Sequence, residues 1–175
     1  MKYSKTPQII EWLEKRLDVP FPFPKYYQVI YPYMPGGAME NISLVTWRMS
    51  LILDETFAKE YKIVFDKVNL HECTHSYFGD ALVIRHFEHV WLKESWATYM
   101  QACWVNDVYG KDEGDLELIQ HASRYMSETQ SYVRPIVTRV YDSSWCMFDL
   151  HTYPYVFLFL VFTCYSEVVL GVYTC

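Results

Sequence analysis

The sequence predicts an α+β fold with a small sheet lobe and a mainly helical lobe. Segments rich in strand formers are confined to Tyr26–Trp47, whereas apolar residues recur at helical spacing from Phe57 to Tyr132. A chain of 175 residues that is 51% hydrophobic and 21% charged is long enough to bury one core. One unit over residues 1–154 is therefore expected, with residues 155–175 set apart as an aberrant hydrophobic tail.

Thr6 is placed to cap a helix whose first residue is Pro7, and Ile9, Ile10, Leu13 and Leu17 carry the helical period to Asp18. The prolines of VPFPFPKYYQVIYPYMP, Val19 to Pro35, rule out helix, while Tyr26 to Tyr31 suits a strand. Gly36 and Gly37 permit a tight turn, and Asn41 to Trp47 reads as the next strand. Beyond Asp54, Phe57, Tyr61, Val64, Phe65, Val68 and Leu70 begin a long buried helix that continues to Phe78 and stops at Gly79. A short extended piece, Ala81 to Ile84, precedes a helix from about Val90 to Val108 that ends at Gly110. A further helix spans Gly114 to Tyr132, where Arg134-Pro135 breaks it. The acidic run Lys111 to Glu117 reads as its solvated start, where carboxylates suit the helix dipole.

A formal charge of -6 with no cluster of Lys and Arg argues against nucleic-acid binding, which needs cations to displace counterions from phosphates. Five cysteines, Cys73, Cys103, Cys146, Cys164 and Cys175, form no C-x-x-C pair, so a disulfide framework and a thiolate metal site are both unsupported. Met1 to Thr6, MKYSKT, lacks the apolar stretch of a secretion signal. A reducing, cytoplasmic setting is the expectation.

The segment LHECTHSYFG puts His71 and His75 four residues apart on the long helix, so both imidazoles leave one face and can hold one metal ion. Glu72 lies beside them and is placed to take a proton from water at the metal rather than to ligate it. Catalytic zinc keeps three protein ligands and an open position. Separated from His75 by eighteen residues, Glu94 in VWLKESWATYM opens the next helix and supplies the third. One Zn2+ per chain, held by His71, His75 and Glu94, is the expected cofactor. Other histidines look peripheral: His86 and His89 flank Glu88 as surface groups, and His121 and His151 have no evident partner. Cys73 faces away from the ligand pair by its spacing and reads as a small core residue.

GAMEN at Gly37 to Asn41, HECTH at 71–75 and WLKESWATY around Glu94 together resemble the aminopeptidase N type of zinc metallopeptidase, a gluzincin family with a thermolysin-like catalytic domain. The resemblance covers about Thr6 to Pro154. It implies hydrolysis of the amino-terminal peptide bond of peptides. By position Glu40 receives the substrate's free α-amino group, and Gly37 and Ala38 offer backbone that aligns the peptide as an added strand. FDLHTYP is similar to the family's FDxxxYxKGA, which makes Tyr153 the hydrogen-bond donor to the oxyanion.

The sequence departs from the family pattern at Tyr77 and Asp80, where tryptophan and asparagine are usual, and at Lys93, where the asparagine of WLNEG is usual. After Pro154 the expected KGA gives way to YVFLFLVFTCYSEVVLGVYTC. Ser166 and Glu167 interrupt this stretch and no basic flank follows, which disfavours a membrane span; a buried β or helical core segment is a second reading, and a truncated or out-of-frame end the preferred one. The resemblance further implies an amino-terminal β-domain and a carboxy-terminal helical domain that this chain lacks. Two rival readings stay open: a zinc epoxide hydrolase of the same family, and a non-catalytic fragment that binds zinc or peptide.

Overall fold

A computed structural model describes residues 5–51, 56 and 61–154. The readings of Tyr155–Cys175, of Cys164 and Cys175, and of the helix's first turns near Phe57 lie outside those residues.

Helix α1 spans Thr6–Leu17, with Pro7 in its first turn and Asp18 closing it in the left-handed region at φ 54°. Thr6 does not cap it. Lys5 occupies the cap position, and the Thr6 hydroxyl instead accepts hydrogen bonds from Gln28 Nε2 at 3.1 Å and Asn69 Nδ2 at 2.9 Å. One buried oxygen so ties α1 to the sheet and to the next helix. Ile9 and Leu13, fully buried, form the face that packs inward.

Three strands follow: β1 (Tyr27–Tyr31), β2 (Ala38–Asn41) and β3 (Leu44–Arg48), in the order β1-β3-β2. β3 pairs parallel with β1 (Tyr27 opposite Leu44) and antiparallel with β2 (Ala38 opposite Trp47). The expected single strand from Asn41 to Trp47 is in fact a hairpin. Asn41 faces Leu44 across a two-residue turn, Ile42-Ser43, with Ser43 at φ 59°. GAMEN is therefore strand rather than turn from Ala38 onward, and among the described residues β2 is an edge strand with one side unpaired. Val45 and Trp47 alternate inward on β3 and are buried.

Helix α2 (Lys62–His75) lies between α1 and α3 (Trp91–Tyr109), and α4 (Lys111–Thr129) folds back along α3. Leu70, Cys73 and Tyr77 from α2 and the turn after it meet Ile9 and Leu13 of α1 and Met100 and Trp104 of α3 in one apolar cluster. The Lys5 ammonium, 2.5 Å from Asp66 Oδ2 and 3.0 Å from the Tyr109 hydroxyl, clasps the same three helices at one end. Gly114 sits within the first turn of α4 rather than starting it. A Cβ there would come within 2.8 Å of Asn106 Cβ, so glycine lets α4 turn back tightly on α3. Glu117 is not solvated as the acidic run suggested: it is buried and accepts from Lys67 Nζ at 2.8 Å, with His121 Nε2 3.1 Å away. No described helix is long and apolar enough to cross a membrane.

Candidate metal centre

The sheet and helices enclose a cleft of about 510 Å³ whose walls include Gly37, Ala38 and Glu40 from the sheet lobe and His71, Glu72, His75, Glu94 and Tyr153 from the helical lobe. Every residue singled out in the sequence for the site thus borders one cavity.

The i, i+4 spacing on α2 brings the His71 and His75 rings together, centroids 4.6 Å apart and nearly perpendicular. α2 ends at His75, and the chain reverses through Gly79, whose φ of 139° suits glycine and whose missing Cβ would lie 3.4 Å from His75 Nδ1. The reversal carries the Phe78 carbonyl to 3.0 Å from His75 Nδ1. A carbonyl only accepts, so Nδ1 holds the ring's hydrogen and Nε2 is turned to the cleft. Glu94, in the first turn of α3, approaches with Oε2 at 3.2 Å from His71 Nε2 and 3.5 Å from His75 Nε2.

The donor atoms of His71, His75 and Glu94 all lie within 4.8 Å of one another. Two imidazole nitrogens and one carboxylate oxygen, converging from two helices, form a donor set that fits zinc. Electrostatics agree. Burial, together with the charge on His75, lowers the His71 pKa, which favours the neutral ligand form. Burial opposes charge on His75 too, but Glu94 outweighs it and raises that ring to about 9, so a bound cation would take the place of a proton there. The same histidines and Lys93 overcome the burial of Glu94 and hold it well below the usual carboxylate range.

Glu72 is buried, and its Oε2 has no hydrogen-bond partner among the described residues. Burial pushes its carboxyl up to about 8. An orphaned buried carboxylate oxygen beside a cation site is what a proton acceptor held for a reactant looks like, and a divalent ion would favour its ionised form. Tyr153 stacks on His71 with centroids 6.2 Å apart. Burial raises its pKa, and Glu94, Glu40 and Glu72 raise it further, so the phenol keeps its proton and remains a donor.

Features that sequence reading did not supply hold these groups in place. Arg134 grips Asp149 with a fork, Nε to Oδ2 and Nη2 to Oδ1, both 2.7 Å, and Nη2 also reaches Thr152 Oγ1 at 2.7 Å. Ser95 Oγ on α3 donates to the Thr152 carbonyl. The residue before Tyr153 is so fixed from two sides. Lys93 bridges the lobes, donating to Glu40 Oε1 and, at 2.5 Å, to Glu94 Oε1. Its departure from the WLNEG pattern was the signal for this contact. His121 and His151 also prove to have partners: Glu117 for the first, and for the second Glu128 Oε2, 2.6 Å from Nδ1. Glu128, Asp149 and His151 lie within 4.8 Å of one another, but the Arg134 fork and the His151–Glu128 contact already engage their charges. Glu88 is buried against Arg139 and His89, while His86 is exposed. Cys73 is fully buried away from the cleft, its thiol pushed up to about 12 by burial.

Comparison with known proteins agrees with this geometry. The Peptidase family M1 domain matches residues 1–161. A probable aminopeptidase 1 from Sulfurisphaera tokodaii is 30% identical over 138 residues, 77% of this chain and 18% of that protein. Endoplasmic reticulum aminopeptidase 2 from Bos taurus is 30% identical over 155 residues, 83% of this chain and 16% of that protein. The chain therefore spans less than a fifth of the length of these relatives. Among solved structures, an M1 zinc metallopeptidase from Deinococcus radiodurans superposes with a TM-score of 0.65 at 21% identity, covering 86% of this chain and 30% of that one. A mutant of that enzyme, bound to a Tyr-Ser-Ala substrate, aligns with a TM-score of 0.64 at 22% identity. These similarities share a fold of small sheet and mainly helical lobe and a sequence profile that runs over nearly the whole chain. The chain thus belongs to peptidase family M1, the aminopeptidase N type of gluzincin that its GAMEN and HECTH segments resemble.

Proposed function

We propose that this chain is the metal-binding part of a zinc aminopeptidase, which removes the first residue of peptides bearing a free amino terminus. The observation that carries the proposal is the convergence of His71, His75 and Glu94 beside the orphaned Oε2 of Glu72, with Glu40 across the same cleft. The names of the relatives and the tripeptide of the Deinococcus structure support the peptide substrate.

His71, His75 and Glu94 would hold the ion. Zinc there would supply Lewis acidity toward a substrate carbonyl and a water. Glu72, whose Oε2 has no partner among the described residues, takes up the proton of the attacking water at its carboxylate and returns it to the departing amine. The Tyr153 hydroxyl, kept protonated, donates to the oxygen on which negative charge develops. Glu40 anchors the α-ammonium. The unpaired side of β2, with Gly37 and Ala38, offers backbone groups along which the peptide lies as a further strand.

Exposed apolar residues of β1, Val29, Ile30 and Tyr31, suit coverage by a further domain such as the amino-terminal β-domain expected from the family. A cytoplasmic site of action fits the free thiols of Cys73, Cys103 and Cys146. The test is turnover of an aminoacyl amide reporter by the zinc-loaded chain and by Glu72→Gln. The variant keeps one zinc and loses turnover by about 100-fold or more if the reading holds; equal turnover, or cleavage of N-acetylated reporter alone, defeats it.

A further inference from the structure

The cleft contains a cation for which the chemistry above has no use. The Lys93 side chain is 13% exposed and rises from the first turn of α3 to donate to Glu40 Oε1 on β2 and, 2.5 Å away, to Glu94 Oε1. Its ammonium also lies 5.7 Å from the Phe148 ring centroid, on the favourable face for a cation. Glu40 is therefore not a bare anion awaiting a ligand. Its side chain, 10% exposed, already holds one ammonium that is tethered, and so present at high effective concentration.

We propose that Lys93 is a specificity-determining residue: its ammonium occupies the Glu40 carboxylate as a built-in counterpart of the substrate amine, so the cleft discriminates only weakly between free and acylated peptide amino termini. This rests on the reading of Glu40 as the amine anchor. An incoming α-ammonium meets a carboxylate whose charge is already compensated, and a like charge a few ångströms away, which between side chains only 13% and 10% exposed weakens binding. Lys93 is not free to withdraw without cost, because its second contact is an oxygen of a metal-ligating carboxylate. Asparagine, usual at this place in the pattern that WLKES resembles, carries no charge to pair with Glu40.

Calorimetric titration of the zinc-loaded chain with L-leucine hydroxamate and with N-acetyl-L-leucine hydroxamate tests this without recourse to turnover. Both probes bind the metal through the hydroxamate and differ only at the amine. In the natural chain their affinities should agree within about threefold. Lys93→Asn and Lys93→Gln should each tighten the free-amine probe at least about tenfold and leave the acetylated probe unchanged, and adding Glu40→Gln should erase the gain. A natural chain that already prefers the free amine by about 100-fold overturns the proposal with no variant needed. So do Lys93 variants that leave the preference unchanged. If Glu40→Gln alone then weakens the free-amine probe, the anchor reading survives that failure; if a Lys93→Asn gain persists without Glu40, the anchor reading fails as well.

Discussion

Replacing Arg134 by lysine keeps its charge but removes the planar fork, which makes it a sharp test of how Tyr153 is held. The guanidinium makes two parallel 2.7 Å bonds to Asp149 and a third to Thr152 Oγ1. The side chains of the pair are only 13% and 10% exposed. Lysine retains one of these contacts. Hydrogen bonds to charged groups contribute about 1.5–3 kcal/mol each, and Asp149 keeps the Thr152 backbone N–H at 3.0 Å and the Tyr132 hydroxyl as donors. Allowing also for solvent at the open rim, the net loss should be about 2 kcal/mol. At a denaturant slope of about 2 kcal/mol per molar urea, the unfolding midpoint falls by about 1 M, followed by the fluorescence of the six tryptophans. Zinc content should stay at one per chain, since no ligand is touched, while kcat falls because Tyr153 loses its fixed approach. A midpoint shift under about 0.3 M, or an unchanged kcat, would refute the idea that this fork positions the oxyanion donor.

Tyr153→Phe should lower kcat by about 100- to 1,000-fold, as loss of an oxyanion donor does, with KM and zinc content little changed; steady-state kinetics and metal analysis check it. Glu117→Gln should cost about 1–2 kcal/mol at neutral pH, seen by urea unfolding. Burial pushes the Glu117 carboxyl up, but His121 and Lys67 overcome it and hold its pKa at about 2, below the ordinary 4.5. Its stabilisation is therefore present above the unfolded value and disappears as pH falls from about 4.5 toward 2, so variant and natural chain should converge in that window.

The metal centre was legible because it depends on local periodicity. His71 and His75 share a face by virtue of helical spacing alone, and Glu94 opens the helix that packs against them. The sheet was half legible. Val45 and Trp47 showed the strand, but the hairpin closes at Ile42-Ser43, where neither residue is a strong turn former and Ser43 takes positive φ under the pairing of its neighbours. Gly36 and Gly37 do lie in the bend that leads into β2, but nothing comparable marked the second turn. Contacts distant in sequence were invisible for a different reason: Lys93 with Glu40, Lys67 with Glu117 and Arg134 with Asp149 involve charged residues that on composition alone look solvated. Only the meeting of β2 with α3, of α4 with α2, and of the loop before Tyr153 with Arg134 buries them.

Zinc-edge X-ray absorption on the loaded chain bears most directly on the central claim that one ion is shared by His71, His75 and Glu94. The expected spectrum has two imidazole nitrogens and oxygen ligands at about 2.0–2.2 Å, and one imidazole fewer in His75→Ala. A sulfur shell near 2.3 Å, or an imidazole count unaltered by His75→Ala, would contradict it.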